Sequence, residues 1–220
     1  MKNLFVLLMI GSLNIVLFSN HASAQKNEPF TTYTFSALAM STVNTVEATT
    51  VNGDLKVIGD AVLQTAVEMF VSGNSPAIRN KKWSDAEIKQ ELDKTFDIEV
   101  KVVGEKILIA AKQKPNVKNA SFNITFKITV PKQMNTDLET TNGSVQISNL
   151  TGSQKLKTVN GSLKIENTSG KITGNTVNGS ITVTNSNDDI NLSTVNGSIS
   201  ETGCSGNINL KTVNGKVNRR

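Results

Sequence analysis

The chain has 220 residues, 37% hydrophobic and 5% aromatic, with 23 Lys and Arg against 18 Asp and Glu and a formal net charge of +5. Its only cysteine is Cys204, which excludes a disulfide framework within the chain. The positive charge is mild and forms no stripe, and aromatics are few, so nucleic-acid binding is not expected.

Residues 1–24 carry the marks of a signal peptide. Lys2 supplies a positive start, Leu4 to Phe18 is apolar apart from Gly11, Ser12 and Asn14, and Ala22-Ser23-Ala24 is a small-x-small cleavage site. Cleavage there removes His21, the only histidine, and leaves no imidazole for general-base work or metal ligation. The apolar run falls short of the roughly 20 residues of a spanning helix. The mature chain is therefore expected without a transmembrane segment, in the periplasm or at the cell surface.

Residues 25–32, polar and containing Pro29, predict a flexible lead-in. Residues 33–139 predict a β-rich part. Tyr33 to Val57 alternates roughly and ends in Thr50-Val51-Asn52-Gly53-Asp54-Leu55-Lys56-Val57, an early copy of a motif that dominates the later chain. Ala61 to Val71 predicts another strand and Ser72 to Lys82 a loop. Ser84-Asp85-Ala86-Glu87 forms a capping box, and Ile88 and Leu92 give the segment near 84–95 one apolar stripe. This is the one helix predicted, lying over an edge or end of the sheet. Phe96 to Val103 and Lys106 to Ala111 flank a Gly104-Glu105 turn, and Ser121 to Val130 alternates strictly.

Residues 140–220 are nine units of nine residues. Odd units open Thr-(Val/Thr)-Asn-Gly, even units open more loosely, and the full period is eighteen. The sixth column is aliphatic in eight of nine units, the exception being Gln154. The eighth is aliphatic in six of nine, the exceptions being Gly174, Glu201 and Arg219. These two columns predict the core, and the Ser, Thr, Lys and Asn columns between them predict solvent-facing positions.

An odd period cannot keep strict in-out alternation, so one residue per unit must leave the strand. The fourth column, glycine except at Asp188, supplies that turn through its tolerance of positive φ. Asn-Gly turns suit antiparallel hairpins as well as a parallel coil. The eighteen-residue alternation favours the coil, which places Asn142, Asn160, Asn178, Asn196 and Asn214 above one another at about 4.8 Å, beside Gly143, Gly161, Gly179, Gly197 and Gly215. The fold expected is all-β, a parallel β-solenoid with about 18 residues per coil and an N-terminal β-rich part with one short helix. Side-chain amides are expected to form a ladder, with Thr140, Thr158, Thr176, Thr194 and Thr212 stacked likewise and Val159, Val177, Val195 and Val213 inside.

The leader, the run Phe122-Asn123-Ile124-Thr125-Phe126-Lys127-Ile128-Thr129-Val130-Pro131, the lead-in Asp137-Leu138-Glu139-Thr140-Thr141-Asn142-Gly143 and the Asn-Gly units after it resemble the bacterial putative-adhesin family of β-strand-repeat proteins, a domain of unknown function. The resemblance covers the chain from about Tyr33 onward. It implies a β-solenoid exported to the periplasm or surface and brings no catalytic residues with it.

Chemistry-bearing clusters are scarce. Calcium-binding nonapeptide repeats need a carboxylate in every unit, and only Asp188 and Asp189 are adjacent. A glycan-cleaving site needs paired carboxylates about 5 to 10 Å apart, yet Glu166 shares its column with Ser148, Thr184 and Thr202. Cys204 sits in a column of small residues with no base, and Trp83 precedes the helix as an anchor. No cofactor, metal or catalytic group is expected, and the chain is expected not to be an enzyme. The candidate binding face is Ser144, Ser162, Ser180 and Ser198 with Lys164 and Thr182, offered to an envelope protein or glycan. Self-association through open coil ends is the alternative, with Lys216, Arg219 and Arg220 as charged protection.

Overall fold

The computed structural model describes residues 29–38, 43–62, 65–117 and 120–220. The expected leader and the start of the lead-in lie outside them. In chain order the elements are β1 (Thr31–Leu38), β2 (Thr45–Asn52), β3 (Leu55–Asp60), β4 (Thr65–Gly73), α1 (Pro76–Asn80), α2 (Asp85–Thr95), β5 (Phe96–Val103), β6 (Lys106–Gln113), β7 (Phe122–Pro131), β8 (Asn135–Asn142) and β9 (Val145–Ser148). They continue with β10 (Gln154–Thr158), β11 (Leu163–Glu166), β12 (Ile172–Asn178), β13 (Ile181–Thr184), β14 (Asp189–Asn196), β15 (Ile199–Thr202), β16 (Asn207–Asn214) and β17 (Val217–Arg219). β1 already begins inside the expected lead-in.

The described strands form two sheets. One is ordered β1-β4-β7-β3-β9-β11-β13-β15-β17 and the other β16-β14-β12-β10-β8-β2-β6-β5. Odd units supply the first sheet and even units the second. Within the repeats each strand pairs in parallel with its counterpart one full period away, as Leu163 lies opposite Ile181 and Ile190 opposite Ile208. A parallel pair needs a long connection, and the strand of the intervening unit in the other sheet provides it.

The N-terminal part departs from the expected parallel course. β4 runs antiparallel to both β1 and β7, and β5 runs antiparallel to β6. For β5 and β6 the reason is local: only Gly104 and Glu105 separate them, with Gly104 at φ 60, and so short a turn permits only antiparallel pairing. Chain order and spatial order also part company. β2 and β3 lie between β6 and β7 on one side and β8 and β9 on the other.

The core fills the space between the sheets. Val145, Leu163, Ile181 and Ile199 and their partners Ile147, Ile165 and Val183 are buried. Gln154 is buried where its column is otherwise aliphatic, and its polar atoms are satisfied. It accepts from the Thr136 hydroxyl at 2.6 Å and donates to the Met134 carbonyl at 3.1 Å. Gly174 leaves room for Leu192, whose Cδ2 would lie 2.7 Å from an added Cβ.

α2 closes the N-terminal side. The Ser84 hydroxyl accepts from the Glu87 amide, the Glu87 carboxylate accepts from the Ser84 amide, and Ile88, Leu92 and the following Phe96 are buried. The Ser84 amide and hydroxyl, with Lys81, hold the Glu87 carboxyl below its usual range. α1 corrects the expected loop over residues 72–82. Ser75 caps it and Pro76 opens it, a start signal that the short length conceals. Trp83 packs edge-on against Phe122 at 5.0 Å and lies 6.3 Å from Phe30, aromatics far from it in sequence. Among the described residues no helix is long and apolar enough to cross a membrane.

Candidate functional site

The Thr-Val-Asn-Gly signature builds one corner of every repeat, and each residue has a separate task. Threonine points inward. Thr140, Thr158, Thr176 and Thr194 are buried, and the hydroxyls of Thr158, Thr176, Thr194 and Thr212 each donate at 2.8 Å to the carbonyl of the glycine that ends the previous corner, Gly143, Gly161, Gly179 and Gly197. The valines expected inside face out instead: Val177 and Val195 are 39% and 38% exposed and Val213 is 74% exposed. Neighbouring positions in a strand point to opposite faces, so the inward hydroxyl forces the valine out.

Asparagine forms the expected ladder. Asn160 donates to Asn142 at 2.8 Å, Asn178 to Asn160 at 2.9 Å, and Asn196 to Asn178 and Asn214 to Asn196 at 2.8 Å. The early motif joins it, since Asn142 donates to Asn52 at 2.8 Å. Every amide points toward the N-terminal side.

Glycine is needed here for space, not for handedness. Gly143, Gly161, Gly179, Gly197 and Gly215 lie outside the left-handed region. A Cβ on Gly161 or Gly179 would fall 1.9 Å from the carbonyl oxygen of Gly143 or Gly161. The left-handed residues sit at the opposite corner: Asn149, Asn167 and Asn185, at φ 59, 50 and 49, followed by Gly203 at 65, and in the fourth column of the even units, as expected, Gly170, Asp188 and Gly206 at 91, 78 and 98. The first column of the even units, Asn-Asn-Asn-Gly, was the signal for this, because those residue types tolerate the left-handed region.

The candidate face is partly committed to the frame. Ser144 and Ser198 are half-buried, and their hydroxyl oxygens accept the Ser162 and Lys216 amides at 3.3 and 3.4 Å. Ser162, Ser180, Lys164 and Thr182 are exposed. Lys164 lies in register between Gln146 and Thr182, and Thr182 lies beside Ser200. Lys164 also reaches Glu166 on its own strand at 3.1 Å.

The outer face of the second sheet was not singled out from the sequence. Its N-terminal half is occupied by cross-strand ion pairs, Lys106 with Glu47, Lys155 with Asp137 and Lys157 with Glu139, at 2.7 to 3.1 Å. The Asp137 carboxylate raises the Lys155 ammonium above its usual value. Further along, the same columns become neutral: Thr173, Asn175, Asn191 and Ser193, with the Ser193 hydroxyl donating to Asn175 at 2.6 Å. The signal was present in the even units, whose seventh and ninth columns pass from Lys155 and Lys157 to Thr173, Asn175, Asn191 and Ser193 before Lys211 restores a charge.

Among the described residues one carboxylate is buried. Glu201 occupies the aliphatic eighth column with a side chain only 5% exposed; it accepts from the Cys204 amide at 2.9 Å and from the Arg219 guanidinium at 3.0 Å. Burial raises its pKa, but the Cys204 amide and Arg219 outweigh burial, and the carboxyl is held below its usual range. Arg219 is thus a partner to Glu201 and not a free protective charge. Burial pushes the Cys204 thiol up, away from the nucleophilic thiolate. Among the described residues no group of three or more His, Cys, Asp and Glu side chains could hold a metal ion.

No protein-family model and no curated protein sequence matches the chain. Among solved structures it is similar to a putative cell adhesion protein from Clostridium sporogenes, 11% identical, over 94% of this chain and 98% of that one, with a TM-score of 0.45. It is also similar to a putative adhesin from Bacteroides fragilis, 13% identical, over 86% and 97%, with a TM-score of 0.37. A third, a putative lipid binding protein from Parabacteroides distasonis, is 13% identical over 86% and 96%, with a TM-score of 0.26.

Proposed function

We propose that the chain is an exported, non-enzymatic β-solenoid that serves as a structural or adhesin-like module, holding a flat polar face against an envelope glycan or protein. The observation that carries this reading is the in-register column Gln146, Lys164, Thr182 and Ser200, flanked by exposed Ser162 and Ser180. Parallel pairing at one full period repeats the same kind of polar group at the strand spacing of about 4.8 Å on a frame that cannot shift register without exposing its core. Such a surface suits many weak bonds to an extended or repetitive partner, whose contributions multiply when engaged together.

A scaffold that assembles through its ends is less well supported. Stacking head to tail needs an open N-terminal side, and α2 covers the core there with Ile88 and Leu92.

The test is capture from the cell envelope and from a glycan panel by the protein beginning near Gln25, alongside a Lys164→Glu, Thr182→Glu variant. The reading expects capture that the variant loses at an unchanged melting temperature. Equal capture by both proteins would remove the face from the account, and no capture by either would remove the adhesive reading. Turnover on a polysaccharide panel, abolished by one carboxylate substitution, would overturn the non-enzymatic part.

A further inference from the structure

Asn-Gly is the dipeptide whose side chain is most open to attack by the following backbone nitrogen, because glycine places no Cβ in the way. This chain carries the same dipeptide at every ladder corner, in environments that differ from corner to corner. At Asn178-Gly179 every polar atom that the reaction needs is engaged. The Asn178 amide donates to Asn160 at 2.9 Å, its oxygen accepts from Asn196 at 2.8 Å, and the Gly179 amide donates to the Asn196 carbonyl at 3.1 Å. At Asn196-Gly197 the same three bonds run to Asn178, from Asn214 and to the Asn214 carbonyl, at 2.8, 2.8 and 3.2 Å. At Asn214-Gly215 only the bond to Asn196 remains, and the Asn214 side-chain oxygen and the Gly215 amide have no partner among the described residues.

We propose that Asn214 is a site of spontaneous deamidation in this chain and that the ladder shields Asn178 and Asn196 from the same reaction. In the reaction the Gly215 nitrogen loses its proton to hydroxide and attacks Cγ of Asn214. A C–N bond forms, the bond to the side-chain nitrogen breaks, and that nitrogen leaves as ammonia. Water then opens the five-membered imide at either carbonyl, giving aspartate or isoaspartate. No oxidant or reductant takes part. At Asn178 and Asn196 the attack is blocked twice: the glycine nitrogen must give up its hydrogen bond, and the asparagine must turn its Cγ away from two neighbours that fix the plane of its amide.

The product also matters for the fold. A carboxylate in place of the Asn214 amide removes the donor to Asn196 and sets negative charge against the Asn196 oxygen, so that corner loosens and the shield over Asn196-Gly197 weakens. Deamidation would thus proceed inward, one corner after another. This goes beyond the adhesive reading and does not depend on it.

The test is peptide mapping by mass spectrometry of the purified protein held folded at mildly alkaline pH, with isoaspartate methyltransferase as a second readout. Asn214 is expected to convert faster than Asn178 by roughly tenfold or more, as local opening near the Asn214 corner requires. In denaturant the two sites should converge. Equal rates in the folded protein, or a faster Asn178, would overturn the proposal. A variant separates the ladder from simple burial. Asn196→Ala removes the donor to Asn178, and conversion at Asn178 should rise while circular dichroism stays folded. A rate at Asn178 that does not move in this variant would overturn the shielding role.

Discussion

The carbonyl oxygen of Gly161 accepts the hydroxyl of Thr176 at 2.8 Å, and a Cβ on Gly179 would lie 1.9 Å from that same oxygen. One backbone atom therefore dictates two residues of the motif, the threonine by its need for a donor and the glycine by its need for space.

The corner separates hydroxyl from shape. Thr176→Val keeps the β-branched shape but leaves the Gly161 carbonyl without its donor, which costs about 1 to 3 kcal/mol. Thr176→Ser keeps the donor and should lose less. Gly179→Ala forces the two corners apart and should cost about 3 kcal/mol, in the manner of overpacking. Urea unfolding of the three variants checks the order; a Val variant as stable as the Ser variant would deny the hydroxyl its role.

This corner also shows how far the sequence could be read. The period and the inward columns were legible because Val145, Leu163, Ile181 and Ile199 repeat one kind of side chain at one interval. Which of Thr176 and Val177 faces inward was not. Both are β-branched and of similar size, and the deciding group is a glycine carbonyl brought in from the previous corner. The direction of β4 was illegible for a related reason, since alternation specifies a face and not a direction. The outward polar columns were legible as columns, but their chemistry was not: the Ser144 and Ser198 hydroxyls serve the frame, while Asn175 and Ser193 form a neutral strip that no repeated residue type marks.

The ladder should show a gradient. Asn178 has a neighbour on each side and loses two side-chain bonds when cut to alanine, whereas Asn214 loses one. These bonds are exposed, so the expected losses are modest, about 1 to 2 kcal/mol for Asn178→Ala and under about 1 kcal/mol for Asn214→Ala. Melting temperatures of the pair are the check. Equal losses would mean that the aligned amides contribute little beyond their local turns.

Glu201 and Arg219 interrupt a column that is otherwise Ile147, Ile165 and Val183. Arg219 is 56% exposed on β17, so its removal lets water reach Glu201, and Arg219→Ala should cost about 1 kcal/mol. Replacing both at once is different. Glu201→Val with Arg219→Val continues the aliphatic column and should be neutral or stabilising, because burying the charge costs desolvation that the pair only offsets. The Cys204 amide would then lose its acceptor, which sets a ceiling on the gain. A double variant less stable than Arg219→Ala would show that the ion pair itself holds the corner.

The same pair gives the fold a dependence on pH with a definite sign. The carboxyl of Glu201 is held below its ordinary value, so the folded state keeps its negative charge to lower pH than the unfolded state does. The unfolded chain therefore takes up the proton first as pH falls, and the stabilisation is fully present above the unfolded glutamate value of about 4.3. It declines below that value and is lost once pH has passed through the folded value, when protonated Glu201 no longer pairs with Arg219. Glu201→Gln removes the titration without removing the bulk. Urea unfolding between neutral and acidic pH should show the wild type losing more stability than this variant over the acidic range, while other carboxylates contribute equally to both. Parallel curves would mean that the buried carboxyl has the same affinity for protons folded and unfolded, and the Cys204 amide and Arg219 would then have to be weaker partners than their distances imply.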